Sequence, residues 1–238
     1  MIVVVRKTNI LLIVLIFLLS IAVYSLNIGQ KDEASVTLGP TMQRTVIVDA
    51  GHGGEHPGAV SDYSGIKEKD INLNIAKKLQ ELLEKDNYKV IMTRSEDILN
   101  YQSDTNSIFL KRKEDLLNRK KIMDNSGADI IVSIHLNKFD QTQYWGAQTF
   151  YPPDSPESQK LAGVLQNALK EFVDPNNNRQ PQLNNKGIII FRNVKTPIAI
   201  IECGFLSNAE EEKKLATEEY QNKIAEAIKI GIDRYFTS

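Results

Sequence analysis

The chain has 238 residues, of which 42% are hydrophobic and 25% charged, and its formal net charge at pH 7 is −1. This composition is typical of a globular protein with room for one ordinary domain, and it excludes the basic surface that nucleic-acid binding requires. The chain has one cysteine, Cys203, which excludes an intrachain disulfide and a cysteine-based zinc finger.

An apolar segment near the N-terminus predicts export. Arg6 and Lys7 precede an apolar run from Ile10 to Leu26, which as a helix would be about 26 Å long, close to the hydrocarbon thickness of a bilayer. Positive residues before such a run place the rest of the chain outside the cytoplasm, and no clean A-x-A cleavage site follows. We therefore expect residues 1–26 to form an uncleaved signal anchor and residues 27–43 a polar linker.

Predicted strands and helices alternate in the remainder of the chain. Apolar runs predict strands at 45–49, 89–93, 129–135, 147–151, 187–191 and 198–202. Helical spacing of apolar residues predicts helices at 70–84, 108–125, 155–172 and 210–236, the last in two pieces. Because helices separate the strands, we expect residues 44–238 to be a single α/β domain with a mostly parallel sheet.

The helix predicted at 108–125 has apolar residues that are spaced for one side. These residues are Leu110, Leu116, Leu117 and Ile122. We expect this side to face the core.

Polar residues that suit a metal site follow three of the predicted strands. His52 lies three residues past the first strand, His135 ends the third, and Glu202 ends the last. Functional groups in open α/β sheets collect beyond the carboxyl ends of strands, and two histidines with a carboxylate can form a zinc site with an open position. If Glu202 serves proton transfer instead, Glu68 at the start of the next helix is an alternative third ligand.

The loop after the first strand contains a second histidine. His52-Gly53-Gly54-Glu55-His56 matches the H-x-x-E-H pattern of one class of zinc peptidases. That pattern requires a helix, which the paired glycines and Pro57 oppose. We interpret the segment as a loop whose glycines let the backbone approach an ion or substrate closely, so that the pattern match is accidental.

Each candidate ligand also has an ordinary structural interpretation. A histidine at a strand end is often a hydrogen-bonded structural residue, and Glu68 can be a helix-start residue stabilised by the helix dipole. Glu202 differs because it follows an apolar run and should be half buried, and a buried carboxylate needs a cation or a catalytic role. Cys203 is expected to be a small buried apolar residue rather than a nucleophile.

Several segments together resemble a known family. They are VIVDAGHGGEHPGA (46–59), GIKEKDINL (65–73), MTRSED (92–97), GADIIVSIHLN (127–137) and TPIAIIECGFLSN (196–208). In this order they resemble the zinc-dependent N-acetylmuramoyl-L-alanine amidases of the cell-wall amidase-3 family. Within that family, the chain looks most like the germination-specific type of endospore-forming bacteria.

The resemblance implies a ligand set and a reaction. It implies that His52, Glu68 and His135 bind Zn²⁺ and that Glu202 is the catalytic acid/base, on a mostly parallel mixed sheet flanked by helices of the phosphorylase/hydrolase-like type. The bond cleaved would join N-acetylmuramic acid to the L-alanine of the peptidoglycan stem peptide, in spore cortex maturation that leads to muramic-δ-lactam. The chain departs from the family at His56, where an acidic residue is common, and at Asp124, where asparagine is usual.

Two further residues are candidates for substrate binding. Arg94 could contact an acidic stem peptide or pair with Asp97 at the strand end. Asn137 could donate a hydrogen bond at the rim of the site or cap the turn after His135.

The expected substrate is peptidoglycan, and the expected location is the extracytoplasmic face of the membrane, with the forespore intermembrane space as a candidate compartment. Whether an accessory activating protein is also needed stays open. The alternative functions are a zinc peptidase or carboxypeptidase acting on wall peptides, and a non-catalytic wall-binding protein.

Overall fold

The computed structural model describes residues 15–21 and 43–238. Residues 15–21 form a short helix, α1; the rest of the predicted signal anchor and nearly all of the predicted linker lie outside the described residues. Among the helices of these two ranges, none has both the length and the apolar character that crossing a bilayer requires.

Strands and helices alternate along residues 43–238. The strands are β1 (Thr45–Ala50), β2 (Lys89–Met92), β3 (Ile130–Asn137), β4 (Gln148–Tyr151), β5 (Gln182–Leu183) and β6 (Ile198–Phe205). The helices are α2 (Glu68–Lys85), α3 (Ile108–Asn125), α4 (Pro156–Phe172), α5 (Ala209–Leu215) and α6 (Glu218–Thr237).

The six strands form one mixed sheet in the order β2-β1-β3-β6-β4-β5. Strands β2, β1, β3 and β6 are parallel to one another, whereas β4 runs antiparallel to β6 and β5 pairs parallel with β4. The predicted mixed, mostly parallel sheet flanked by helices is therefore confirmed. Because β1, β3 and β6 are neighbours, their carboxyl ends meet at one edge.

The two faces of the sheet are covered by different layers. Helices α2, α4 and α6 pack on one face over the larger apolar core, to which Val48, Val132 and Ile201 contribute. Helix α3 and a 3₁₀ turn at Ile189–Phe191 cover the other face over a smaller core. Side chains alternate between faces along a strand, so Asp49, Ser133, His135 and Glu202 all lie on the α3 side.

The segment 187–191 is not a strand, contrary to the prediction from its apolar run. Both edges of β6 are occupied, by β3 and β4, and β5 pairs with β4 instead. Ile190 and Phe191 are buried against the smaller core in the 3₁₀ turn. Their apolar character reflects burial, which a strand and a turn can satisfy equally well.

Helix α3 does not bury the side that its leucines predict. Leu110 and Leu117 are 47% and 49% exposed, whereas the buried residues are Asp115, Arg119 and Met123. The Arg119 Nε donates to Asp115 Oδ2 at 2.8 Å, and its Nη1 lies 2.9 Å from a carboxylate at the end of β1. The side of α3 that faces the sheet therefore carries the ion pair of Asp115 and Arg119, because Asp49 of the sheet is a further partner for Arg119.

Candidate metal centre and active site

The loop after β1 has an unusual backbone that two buried arginines hold in place. His52 has φ of 63°, a left-handed conformation that is uncommon outside glycine and is concentrated at functional sites. The Arg94 Nε donates to Ala50 O at 2.8 Å and its Nη2 to Gly51 O at 3.0 Å, while Arg119 Nη2 donates to His52 O at 2.7 Å. These hydrogen bonds give charged partners to three carbonyl oxygens of the loop and fix its shape.

The same loop holds the start of α2. The N-cap residue Lys67 makes no side-chain hydrogen bond. Instead, the backbone N–H groups of Glu68 and Lys69 donate to the carbonyl oxygens of Ala59 and Pro57, at 2.8 and 3.0 Å. The side chain of Glu68 is consequently presented at the carboxyl edge of the sheet, next to the loop.

His52, Glu68 and His135 come together at this edge, from the loop, the first turn of α2 and the strand β3. One potential ligand atom of each lies within 4.8 Å of the others. The Oε1 atom of Glu68 is 3.0 Å from both His52 Nε2 and His135 Nδ1. Two imidazole nitrogens and a carboxylate oxygen from three separate elements could hold a metal ion, and catalytic zinc sites use donors of these types.

Glu68 is buried and is held as a carboxylate. Its Oε2 accepts from the backbone N–H of Ala59 at 2.7 Å, and its Oε1 accepts from that of Leu136 at 3.0 Å. Burial alone would raise the pKa of Glu68, but hydrogen bonds with His135 and His52 outweigh it and hold the pKa well below its usual range. The group is therefore ready to bind a cation at neutral pH.

The pKa values of the two histidines shift in opposite directions. Burial lowers the pKa of His52 and so favours the neutral imidazole that a metal requires. Burial also lowers the pKa of His135, but its hydrogen bond to Glu68 outweighs this effect and leaves the pKa raised.

Two glycines leave room for the donor atoms. A Cβ added at Gly51 would overlap the imidazole of His135, and one added at Gly58 would overlap the carboxylate of Glu68 and the ring of His52. Gly58 also has φ of +72°. Gly51 therefore needs glycine for space, and Gly58 needs it for both space and conformation.

Glu202 pairs with His135 across the β3–β6 ladder, where the register then shifts before Asn137. Its Oε2 atom is buried and has no hydrogen-bond partner among the described residues. Burial raises the pKa of Glu202 to about 7, opposed by His135 and supported by Glu68. A buried carboxyl with a pKa near neutrality, beside three metal-type ligands, has the properties of a general acid/base.

A cavity of about 280 Å³ joins these groups, and His52, His56, His135 and Glu202 line it together with apolar side chains. His56 lies beside the triad, with its Nδ1 2.7 Å from that of His52. Burial and, secondly, the neighbouring His52 lower the pKa of His56 to about 4. His56, one of the two positions at which the sequence departs from the family, therefore lines the same cavity as the candidate ligands.

Arg94, for which the sequence offers a substrate-binding or a structural role, is buried beneath the loop. Arg94 is 5% exposed, and its guanidinium donates to backbone carbonyls of the loop, of Lys69 and of Glu96. The alternative partner Asp97 pairs with Lys69 and accepts from the backbone N–H of Gly54. Arg94 therefore supports the loop and does not line the cavity.

The side chain of Asn137 makes a local hydrogen bond next to the turn after β3. Its Oδ1 accepts from the backbone N–H of Lys138 at 2.9 Å, and its carbonyl accepts from Leu206 at 2.8 Å. It is absent from the lining of the cavity. Cys203 is buried, as predicted, and burial raises the pKa of its thiol, which opposes a role as nucleophile.

Comparison with known proteins assigns this fold and site to a class of enzyme, the peptidoglycan amidases. Residues 46–234 match the family Amidase_3, described as N-acetylmuramoyl-L-alanine amidase. The chain belongs to this family, and it is an enzyme with amidase activity on peptidoglycan.

The relatives include a germination-specific amidase and a solved amidase structure. The germination-specific N-acetylmuramoyl-L-alanine amidase of Bacillus subtilis (strain 168) is 35% identical over 198 residues, which cover 83% of this chain and 82% of that protein. The solved structure of the CwlD amidase from Clostridioides difficile, in complex with the GerS lipoprotein, is 47% identical with a TM-score of 0.80 and covers 82% of this chain and 99% of that chain. The resemblance drawn from the sequence is confirmed.

A second solved structure supports the fold. The N-acetylmuramoyl-L-alanine amidase from Clostridium difficile 630 is 34% identical with a TM-score of 0.70, and it covers 82% of this chain and 98% of that chain.

Proposed function

We propose that this amidase is zinc-dependent, with His52, Glu68 and His135 as the metal ligands and Glu202 as the catalytic acid/base. One observation carries the proposal: three ligand atoms lie within 4.8 Å of one another, next to a buried carboxylate oxygen that has no partner among the described residues. Nitrogen and oxygen donors in this combination suit zinc, and three protein ligands leave a position for water or substrate.

The chain's residues divide the chemical work. A zinc ion supplies Lewis-acid polarisation of the amide carbonyl and activation of water at neutral pH. Glu202 accepts the proton of the attacking water and donates it to the nitrogen of L-alanine as the carbon–nitrogen bond breaks. A pKa near 7 allows Glu202 to take up and release that proton at neutral pH.

Apolar side chains in the wall of the cavity shape the space for the substrate. Leu99, Leu116 and Ile188 line it on the α3 side. Such apolar groups can contact the methyl groups of the lactyl and alanyl units that flank the scissile bond, and they exclude water from the reacting groups.

The biological setting follows from the type of relative. We propose that cleavage frees muramic acid from its peptide in the spore cortex, which prepares the sugar for conversion to muramic-δ-lactam by another enzyme. The similarity to a germination-specific amidase supports this role. The complex of the related CwlD amidase with a lipoprotein supports an accessory lipoprotein as a partner.

We further propose that residues 1–26 anchor the protein in the membrane, that residues 27–43 are a linker, and that residues 44–238 are the catalytic domain on the extracytoplasmic side. The apolar run after Arg6 and Lys7 supports the anchor.

The test is digestion of purified peptidoglycan by the full-length protein in detergent, with and without a zinc chelator. Mass spectrometry should find stem peptides with a free N-terminal alanine and glycan strands whose muramic acid has lost its peptide, and both products should vanish with chelator. Release of peptides cut between amino acids would identify a zinc peptidase instead. Zinc binding without any product, even with a candidate lipoprotein added, would favour a non-catalytic protein.

A further inference from the structure

Arg112 differs from the other arginines of residues 43–238. The other six all donate hydrogen bonds, to Asp129, to backbone carbonyls, to Asp49 and Asp115, to Trp145 O, to Gly187 O and to Glu171. Arg112 has no hydrogen-bond or ion-pair partner within the described part of the chain. An arginine whose guanidinium is free and accessible can bind an anion without first losing an internal partner.

Arg112 stands at the reaction site rather than on a remote surface. It lines the same cavity as His52, His56 and Glu202, and its charge contributes to lowering the pKa of both His52 and His56. It is carried by α3, which the buried pair of Asp115 and Arg119 fixes to the sheet. A group on an anchored helix is well placed for recognition.

The carboxylates that follow Arg112 in the sequence, and the one that contacts its neighbour Lys111, already have partners. Glu55 pairs with Lys111 at 2.7 Å, and Glu114 accepts from Ser103 Oγ at 2.6 Å. Asp115 accepts from Arg119. The positive charge of Arg112 at the cavity is therefore left for a ligand to neutralise.

The substrate offers such a charge at a fixed distance from the scissile bond. In a stem peptide, the residue after L-alanine is a glutamate joined through its γ-carboxyl group, which leaves its α-carboxylate free one residue from the bond that is cut. We propose that Arg112 binds this carboxylate and makes the enzyme selective for stem peptides in which it is free rather than amidated. The proposal rests on the proposed function, because it takes the scissile bond to lie in the cavity between His135 and Glu202.

The physical basis is the match between the two groups. A guanidinium presents two parallel N–H donors to the two oxygens of a carboxylate, whereas an amide offers one acceptor oxygen and two donors that oppose a cation. Replacing the carboxylate by an amide therefore removes both the charge and half of the hydrogen-bond geometry. For a charged hydrogen bond at the mouth of a cavity, we expect a difference of about 10-fold or more in affinity.

The test compares two ligands that differ by this one group, muramoyl-L-alanyl-D-isoglutamate and muramoyl-L-alanyl-D-isoglutamine. Dissociation constants are measured by calorimetry with the full-length protein, in detergent and with zinc, in a Glu202→Gln background that prevents turnover. Each of three substitutions is added singly to this background and compared with it: Arg112→Ala, Arg112→Lys and Lys113→Ala. Lys113 is exposed on the same helix and does not line the cavity, so its substitution removes the same charge without removing the contact.

The Glu202→Gln protein that retains Arg112 should bind the acid at least about 10-fold more tightly than the amide. Arg112→Ala should abolish this preference by weakening binding of the acid much more than binding of the amide, Arg112→Lys should retain part of the preference, and Lys113→Ala should retain all of it. Equal binding of the two ligands by Arg112 protein, absence of binding to both, or an equal loss in Lys113→Ala would each overturn the proposal.

Hydrolysis of peptidoglycan by the protein with native Glu202 separates this proposal from the proposed function. A preference for the acid without any release of N-terminal alanine would retain the role of Arg112 and refute the amidase mechanism. Chelator-sensitive hydrolysis without a preference for the acid would support the amidase mechanism and refute the role of Arg112.

Discussion

The Nδ1 atoms of His52 and His56 lie 2.7 Å apart, with the two rings inclined by 25°. At this distance one ring must donate its N–H and the other must accept it. If His52 donates, its lone pair is on Nε2, the atom that lies 3.0 Å from Glu68 within the triad. His56 can therefore fix the tautomer and the ring orientation of a metal ligand, as hydrogen-bond partners of ligating histidines do.

Replacing His56 by alanine should lower zinc affinity by about 10- to 100-fold, because the partner that orients His52 is lost. His56→Asp should retain most of the affinity, since a carboxylate can accept the same N–H and an acidic residue is common at this position in the family. Competition with a chromophoric chelator measures both. Equal affinities of the native protein and His56→Ala would contradict this role.

Replacing Glu202 by glutamine should abolish hydrolysis and leave zinc bound. The amide cannot accept the proton of the attacking water, and general acid/base groups contribute about 10²- to 10⁴-fold to rate. Product release from peptidoglycan gives the rate, and metal analysis of the purified variant gives the zinc content. Unchanged turnover would refute the assignment of Glu202, whereas loss of zinc would make it a ligand.

Gly58→Ala should impair zinc binding, because its Cβ would occupy the space of the Glu68 carboxylate and the His52 ring. Gly65→Ala is the matched control: its φ of +75° is close to the +72° of Gly58, but an added Cβ would meet nothing within 4 Å. Both variants should lose about 1–2 kcal/mol of stability from the left-handed backbone. Zinc affinity and thermal unfolding distinguish the two effects, and an equal zinc affinity in both variants would contradict the packing argument.

Arg119→Ala should reduce the free energy of unfolding by about 3–5 kcal/mol, because it leaves the buried carboxylates of Asp49 and Asp115 without their cation. Arg234→Ala removes an exposed arginine that pairs with Glu171, and it should cost about 1 kcal/mol or less. Urea titrations of both variants measure the difference. Similar losses of unfolding free energy in the two variants would show that burial does not make the ion pairs of Arg119 more stabilising than the exposed pair of Arg234.

Asp49 should make the protein sensitive to acid. Burial alone would raise its pKa, but Arg119 and the hydroxyl groups of Ser133 and Thr93 outweigh burial and lower the pKa from 3.8 to about 2. The folded carboxylate therefore binds protons less readily than the unfolded one, so its contribution of about 2 kcal/mol is complete above about pH 4 and is lost as the pH falls through 2. Urea titrations between pH 5 and pH 2, in roughly half-unit steps, should show a shallower loss in Asp49→Asn than in the native chain.

The sequence predicts most of the scaffold and the core of the site for physical reasons. Apolar runs locate β1, β3 and β6, and the rule that functional groups follow strand ends then selects His52, His135 and Glu202. The same reasoning offers Glu68 only as an alternative ligand, and the resemblance is needed to select it, because an acidic residue at a helix start is also favoured by the helix dipole alone.

Other features depend on tertiary contacts that a local pattern does not contain. The pair of Asp115 and Arg119 has the spacing of an exposed ion pair on a helix, yet it is buried because Asp49 meets it from β1. Arg112 lies in a run of charged residues that is typical of a solvent-exposed helix face. Its position at the cavity becomes visible only when α3 is placed on the sheet.

The hydrogen bonds of Arg94 and Arg119 to the carbonyls of Ala50, Gly51 and His52 tie the loop to the protein itself rather than to an ion. The conformational entropy of ordering this loop is therefore lost when the chain folds and not when a cation arrives. In small zinc-binding domains, by contrast, the metal drives folding and a chelator unfolds the chain. This scaffold should instead behave as a rigid chelator that can lose and regain its ion while remaining folded.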